Sequence, residues 1–228
     1  MGTPRDSRDR QAEAVIERLR EEHPDATISL DFSSRLELLV AVILSAQCTD
    51  ERVNRVTDDL FDEYRTAADY AEADVDDLAA AIGSVTYPNQ KAGWIADACR
   101  TIVAEHGGEV PDTMDELTDL SGVGRKTANV VLQHGHGVVE GIVVDTHVQR
   151  LSRRLGLTEA ESPEAIERDL IGVVPAGEWR AFTHLLIAHG RATCTARNPD
   201  CGDCALADLC PSERGDGAID LAADEPWE

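Results

Sequence analysis

The sequence predicts an all-α protein. Apolar residues recur at helical spacing in segment after segment, and no run alternates apolar with polar as a half-buried strand would. The one strand-like stretch, Gly141-Ile142-Val143-Val144, is short and ends at Asp145. The 228 residues suffice for one large domain or two small ones.

In chain order, Ala12, Val15, Ile16 and Leu19 fall at i, i+3, i+4 and i+7 and predict an amphipathic helix near residues 8–22. Residues 36–46 are nearly all apolar and free of glycine, as in a buried helix. Thr49 or Asp50 can cap the next helix, with Val53, Val56 and Leu60 on one face. Ala92, Ile95, Ala96, Cys99, Ile102 and Val103 mark a longer helix after Pro88. Residues 111–117 read as a helix ahead of the stretch LSGVGRKTANVV, which runs from Leu120 to Val131. Asp145 can cap a helix that begins at Thr146. Trp179, Phe182 and Leu186 mark a helix ahead of a cysteine cluster. Residues 212–228, acidic and rich in Gly and Asp, are expected to form a mobile tail.

No apolar run approaches the roughly 20 residues that span a bilayer. The start, MGTPRDSRDR, lacks the apolar stretch of a signal peptide. A cytoplasmic protein without a membrane partner is expected. The formal charge of −23, with a pI near 4.5, is extreme. It reads either as avoidance of nucleic acid or as adaptation to molar salt. The acidic residues are spread through every segment, which favours the second reading. At about 1 M salt the Debye length is only about 3 Å, so net charge says little about close contacts. Lysine depletion agrees: of the 21 basic residues only Lys91 and Lys126 are lysines. The acidity marks a habitat, that of a halophile, more than a partner.

Cys194, Cys201, Cys204 and Cys210 form C-x6-C-x2-C-x5-C. An intracellular chain has little use for disulfides, so a metal site is indicated. Four thiolates suit zinc or an iron–sulfur cluster. The spacing matches neither the paired C-x2-C of zinc ribbons nor the C-x2-C-x2-C run of ferredoxins. Cys48 and Cys99 read as core residues on apolar helix faces.

In LSGVGRKTANVV a lysine follows two glycines. A Walker phosphate loop needs glycine directly before the lysine, after a strand; here Arg125 intervenes and a helix precedes. Two readings stay open. One is a packing corner between helices. The other is a helix–hairpin–helix, in which Gly122 and Gly124 let the backbone approach a phosphate and free N–H groups of the second helix bind it. His147 reads as a locally bonded residue, with no second histidine at ligand spacing.

Taken in order, "ILSAQCTD", LSGVGRKTANVV, "VDTH", HGR-x-x-C and the four-cysteine pattern resemble endonuclease III, the iron–sulfur branch of the helix–hairpin–helix DNA glycosylases. The resemblance covers about residues 10–211, and with the charge it suggests a halophilic archaeal source. It implies two lobes. Residues 29–138 would form a six-helix barrel lobe that includes the helix–hairpin–helix at 112–135. Residues 1–28 with 139–211 would form the cluster lobe, and Lys126 would face Asp145 across the cleft. It implies a [4Fe-4S] cluster on Cys194, Cys201, Cys204 and Cys210.

The resemblance also implies an activity: a monomer that flips a damaged pyrimidine from duplex DNA, excises it and cuts the abasic site. Lys126 would attack the sugar C1′ and form a Schiff base, and β-elimination would break the strand on the 3′ side. Arginine, always protonated, cannot do this. Partial burial, Arg125 and the helix N-terminus would lower the pKa of Lys126, and Asp145 would stabilise the sugar cation. Gln47 matches the residue that fills the gap left by the flipped nucleotide, and Tyr87 stands where the family places an aliphatic wedge. Gly122, Val123, Gly124, Arg125 and Thr127 would form the phosphate-binding hairpin. Arg197 is the one basic residue between the first two cysteines. Competing readings are an adenine-mismatch relative, which generally lacks this lysine, and a noncatalytic DNA-binding or electron-transfer protein.

Overall fold

The computed structural model describes residues 4–214, and no strand occurs among them. The helices are α1 (Pro4–Glu22), α2 (Arg35–Ser45), α3 (Asp50–Glu63), α4 (Ala67–Glu72), α5 (Val75–Ala81), α6 (Pro88–Glu105), α7 (Met114–Thr118) and α8 (Arg125–Val131). A π-helical turn at Leu132–His136 continues α8. Then come α9 (Thr146–Arg154), α10 (Pro163–Ile171), α11 (Trp179–Ala192) and α12 (Pro211–Arg214). The chain divides into two compact units, one of Ser29–Glu140 and one of Met1–Ile28 with Gly141–Glu228.

In the unit of Ser29–Glu140, α2 is the central element. Its residues from Leu38 to Leu44 are all buried, and it packs on α3, α6 and α8. Ser34 starts it by accepting the Glu37 N–H, which satisfies one of the first-turn donors. On α3 the buried face is Val53, Thr57 and Leu60, while Val56 is only half-buried. Helix α6 buries Ala92, Ile95, Ala96, Cys99 and Ile102. Val103, expected on that face, is 42% exposed, because it lies one position past the buried stripe. The sequence reading did not place α4 and α5, which pack on α6, as α2 does. At six and seven residues they are too short to show a period. Their signal was in the caps: a Thr66/Asp69 capping box, and Asp74 accepting two N–H groups.

In the other unit, Ala12, Val15 and Leu19 of α1 join a core with Val148, Leu151, Ile166, Leu170, Phe182 and Leu186. Ile142 and Val143 are buried there too. Their backbone is pinned by the Thr183 hydroxyl, which donates to the Val143 carbonyl at 3.2 Å. That run is therefore a buried connector. The first residues of the expected tail are helical instead. Residues 211–214 form α12, and the Ser212 hydroxyl donates to the Arg154 carbonyl at 2.9 Å. The rest of that expectation lies outside the described residues. No helix among the described residues is long and apolar enough to cross a membrane.

Candidate active site and cysteine centre

Leu120 to Val131 folds as a turn between two helices. Thr113 caps α7 through the Glu116 N–H, and the chain then reverses at Gly122, whose φ is +74°. A Cβ there would lie 2.8 Å from Cβ of Trp94 on α6, so only glycine fits between the turn and the indole. Gly124, the N-cap of α8, differs: it is exposed, has no positive φ, and a Cβ would meet nothing within 4 Å. No side chain of the N-cap bonds the first N–H groups of α8. Val123 is buried and anchors the turn. Arg125 and Lys126 are exposed, and Thr127 is half-buried. The partial burial expected of Lys126 is therefore absent, because its position in the first turn of α8 points away from the face that packs on α2. That face carries the buried Ala128, Asn129 and Val131. The π-turn after it is held by Arg35, whose Nε donates to the Gly135 carbonyl at 2.9 Å.

Asp145 caps α9: its Oδ1 accepts the Val148 N–H at 2.8 Å. It is half-buried. Burial and the charge of Arg180 push the pKa of nearby His184 down to about 4, with Asp145 opposing. His184 is then neutral at physiological pH, so no imidazolium there offsets the Asp145 charge. His147 is locally engaged, its Nδ1 3.1 Å from Arg150 Nη2.

Gln47 and Tyr87 are the two non-glycine residues with positive φ among the described residues, at 53° and 54°. Both are exposed, Tyr87 at 59%. Their loops are joined directly, since the Thr86 hydroxyl donates to the Gln47 carbonyl at 2.5 Å. Arg197 is exposed on the loop between Cys194 and Cys201.

Cys194, Cys201, Cys204 and Cys210 line a single pocket with Arg154 and Pro199. Arg154, itself buried, donates to Cys194 Sγ at 3.4 Å and to the carbonyls of Thr195 and Ala196 at 2.8 Å. The Leu206 N–H donates to Cys204 Sγ at 3.4 Å, and His189 Nε2 lies 3.4 Å from the same sulfur. The other two cysteines stand apart. Cys99 is buried on α6, where burial pushes its thiol up to about 12. Cys48, expected on a helix face, instead sits half-buried in the loop beyond α2.

A family model described as HhH-GPD superfamily base excision DNA repair protein matches residues 40–176. A second, the iron-sulfur binding domain of endonuclease III, matches residues 194–210. Endonuclease III of Synechocystis is 52% identical over 90% of this chain and 94% of its own length. That of Escherichia coli K12 is 44% identical over 86% of this chain and 92% of its own length. A solved non-covalent endonuclease III–DNA complex superposes with a TM-score of 0.87 at 40% identity, covering 95% of this chain and 99% of that one.

This chain belongs to the endonuclease III family.

As an endonuclease III family member it is a DNA glycosylase and abasic-site lyase of base excision repair, and it carries an iron–sulfur cluster. These relatives are bacterial and lend no support to the archaeal source that the charge suggested. The cysteine pocket fits the cluster. Four sulfurs line one pocket, and N–H donors from Arg154 and Leu206 aim at two of them, as hydrogen-bond donors do at the sulfurs that hold a cluster. Bound there, the cluster ties the C-terminal loops into one cross-link, so its binding energy becomes folding energy. We expect Cys201→Ser to lower soluble yield and bleach the visible absorbance. Zinc without iron in metal analysis of the native protein would contradict this assignment.

The sequence reading missed three supporting side chains. Trp94 floors the hairpin, Arg154 ties α9 to the cysteine loop, and His189 touches Cys204. Nothing local marks Arg154 or His189 for these roles, since Ala196 lies 42 residues from Arg154 and Cys204 lies 15 from His189.

Proposed function

We propose that this enzyme removes damaged pyrimidines from duplex DNA and nicks the abasic site, with Lys126 as nucleophile and Asp145 as its carboxylate partner. The observation that carries this is an exposed lysine in the first turn of α8, on a hairpin whose Gly124 has no packing reason to be glycine. Nζ of Lys126 attacks C1′, the base leaves with the electrons of the glycosidic bond, and the sugar opens to a Schiff base. Loss of a C2′ proton then expels the 3′ phosphate. Asp145, negatively charged and unneutralised by His184, stabilises the developing sugar cation. Gln47 and Tyr87 enter the duplex at the flipped nucleotide. The hairpin N–H groups and Arg125 bind phosphate, with Arg197 a further contact. The unit of Ser29–Glu140 serves as the barrel lobe, the other as the cluster lobe. Four cysteines match the four irons of a [4Fe-4S] cluster. The protein acts as a monomer in the cytoplasm.

Assays of duplexes with a single thymine glycol, dihydrouracil, 8-oxoguanine or abasic site test the reading. Cleavage is expected at the two pyrimidine lesions and the abasic site, with 8-oxoguanine spared. An 8-oxoguanine preference would overturn it. We further propose that the acidic surface serves molar salt. Backbone N–H groups and a few arginines release few counterions, so activity should persist in molar KCl. A log–log slope of affinity on salt as steep as about −10 would contradict that.

The two hairpin glycines should separate packing from phosphate binding. Gly122→Ala collides with Trp94 and strains φ, costing about 1–3 kcal/mol of stability. Gly124→Ala meets no neighbour and replaces one N-cap residue by a poorer one, so it should cost less, about 0.5–1 kcal/mol. Its new methyl stands where a phosphate would approach, so DNA affinity should fall roughly fivefold or more. Thermal melts and binding isotherms of both variants check the pair.

A further inference from the structure

The second lysine of the chain also has a position that explains its retention. Lys91, on the first turn of α6, is 1% exposed. Its Nζ donates to the Leu44 carbonyl at 2.8 Å and to the Ala46 carbonyl at 2.7 Å. These are carbonyls at the C-terminal end of α2, which no further helical turn satisfies. A cation there also meets the negative end of the helix dipole. Burial pushes the ammonium pKa down, with Cys48 opposing. The two hydrogen bonds to carbonyls favour the charged form in return. A compact ammonium reaches both carbonyls where a planar guanidinium would need more room.

The residue after Ala46 is Gln47. Its left-handed backbone, like that of Tyr87, is a conformation that side chains other than glycine adopt only under constraint. Lys91 constrains it from one side, through the carbonyl of the preceding residue. Thr86 constrains it from the other, through the Gln47 carbonyl itself. Lys91 lies four residues past Tyr87, and its N–H closes the first turn of α6 on the Tyr87 carbonyl at 3.1 Å. One buried side chain thus links the end of α2 to the start of α6, the two places from which the strained residues project.

We propose that Lys91 is a positioning residue for DNA binding: by holding the Leu44 and Ala46 carbonyls it fixes the backbone from which Gln47 enters the duplex. This rests on the reading of Gln47 as the residue that fills the gap. It touches neither DNA nor the reacting atoms.

A double-mutant cycle on affinity for a duplex carrying a tetrahydrofuran abasic analogue tests it. The chains compared are the native protein, Gln47→Ala, Lys91→Met and the double variant, each checked by thermal melting. Gln47→Ala is expected to weaken binding about tenfold and Lys91→Met by a similar factor. The double variant should bind no worse than the weaker single one, within about twofold, because Lys91 acts only through Gln47. Multiplying effects, near 100-fold in the double variant, would overturn the proposal while leaving the role of Gln47 intact. A Gln47→Ala variant with native affinity would instead overturn the gap-filling reading beneath it. Should Lys91→Met fail to fold, Lys91→Arg, which keeps charge and donors but not size, takes its place in the cycle under the same criterion.

Discussion

Lys126→Arg should bind duplex DNA with an abasic site and leave it uncut, and borohydride should trap no covalent adduct. The substitution keeps a cation at the exposed start of α8, so attraction to phosphate survives. It removes a primary amine, and a guanidinium is never neutral enough to attack C1′. Strand cleavage should drop by roughly 10³-fold or more. The competing amine within the chain is Lys91, and its placement argues against it. Nζ of Lys91 is buried and held by two carbonyls, so it has no path to a sugar. Persisting trapping in Lys126→Arg would mean that another amine, such as the N-terminus, is the nucleophile, and the central assignment would fall.

Asp145→Asn should give a different failure, in which excision of a damaged base slows by about 10²-fold while a preformed abasic aldehyde is still trapped by Lys126. The structure adds a control. Asp145 caps α9 through the Val148 N–H, and asparagine caps nearly as well as aspartate. The melting temperature of Asp145→Asn should therefore stay near native. Asp145→Ala removes the charge and the cap together, and should lose about 1 kcal/mol of stability on top of the same kinetic loss. If Asn and Ala slow excision only as far as they lower stability, Asp145 is a cap and nothing more. If the asparagine variant is native in melting and slow in excision, the carboxylate acts on the reaction.

The sequence by itself determined the chemistry that depends on residue type. Lys126 stood out because a chain almost emptied of lysine kept one after two glycines. The four cysteines stood out because an intracellular chain rarely clusters thiols at fixed spacing without a metal. Asp145 was legible as a cap because a carboxylate before Thr146 bonds a donor three residues away. The helices α1, α3, α6 and α11 were legible because burial of one face imprints a 3.6-residue period on a helix long enough to repeat it, and α2 because it is apolar all round. What the tertiary structure decided depends on partners far away in the chain. Gly122 must be glycine because Trp94, 28 positions earlier, lies against it, and Gly124 need not be on packing grounds. Nothing local marks Gln47 and Tyr87 as left-handed, since non-glycine residues adopt that backbone only when surrounding contacts impose it. Arg154 carries no local signal, because the carbonyls beside Cys194 that its guanidinium meets lie 41 and 42 residues away. Lys91 was legible only as one of the two lysines of the chain. Its two acceptors lie 45 and 47 residues away, and only folding brings α6 to the end of α2. Spacing along a chain encodes the groups that react or ligate as a local set. The groups that hold those sets in place are recruited across the fold, where sequence distance carries no signal.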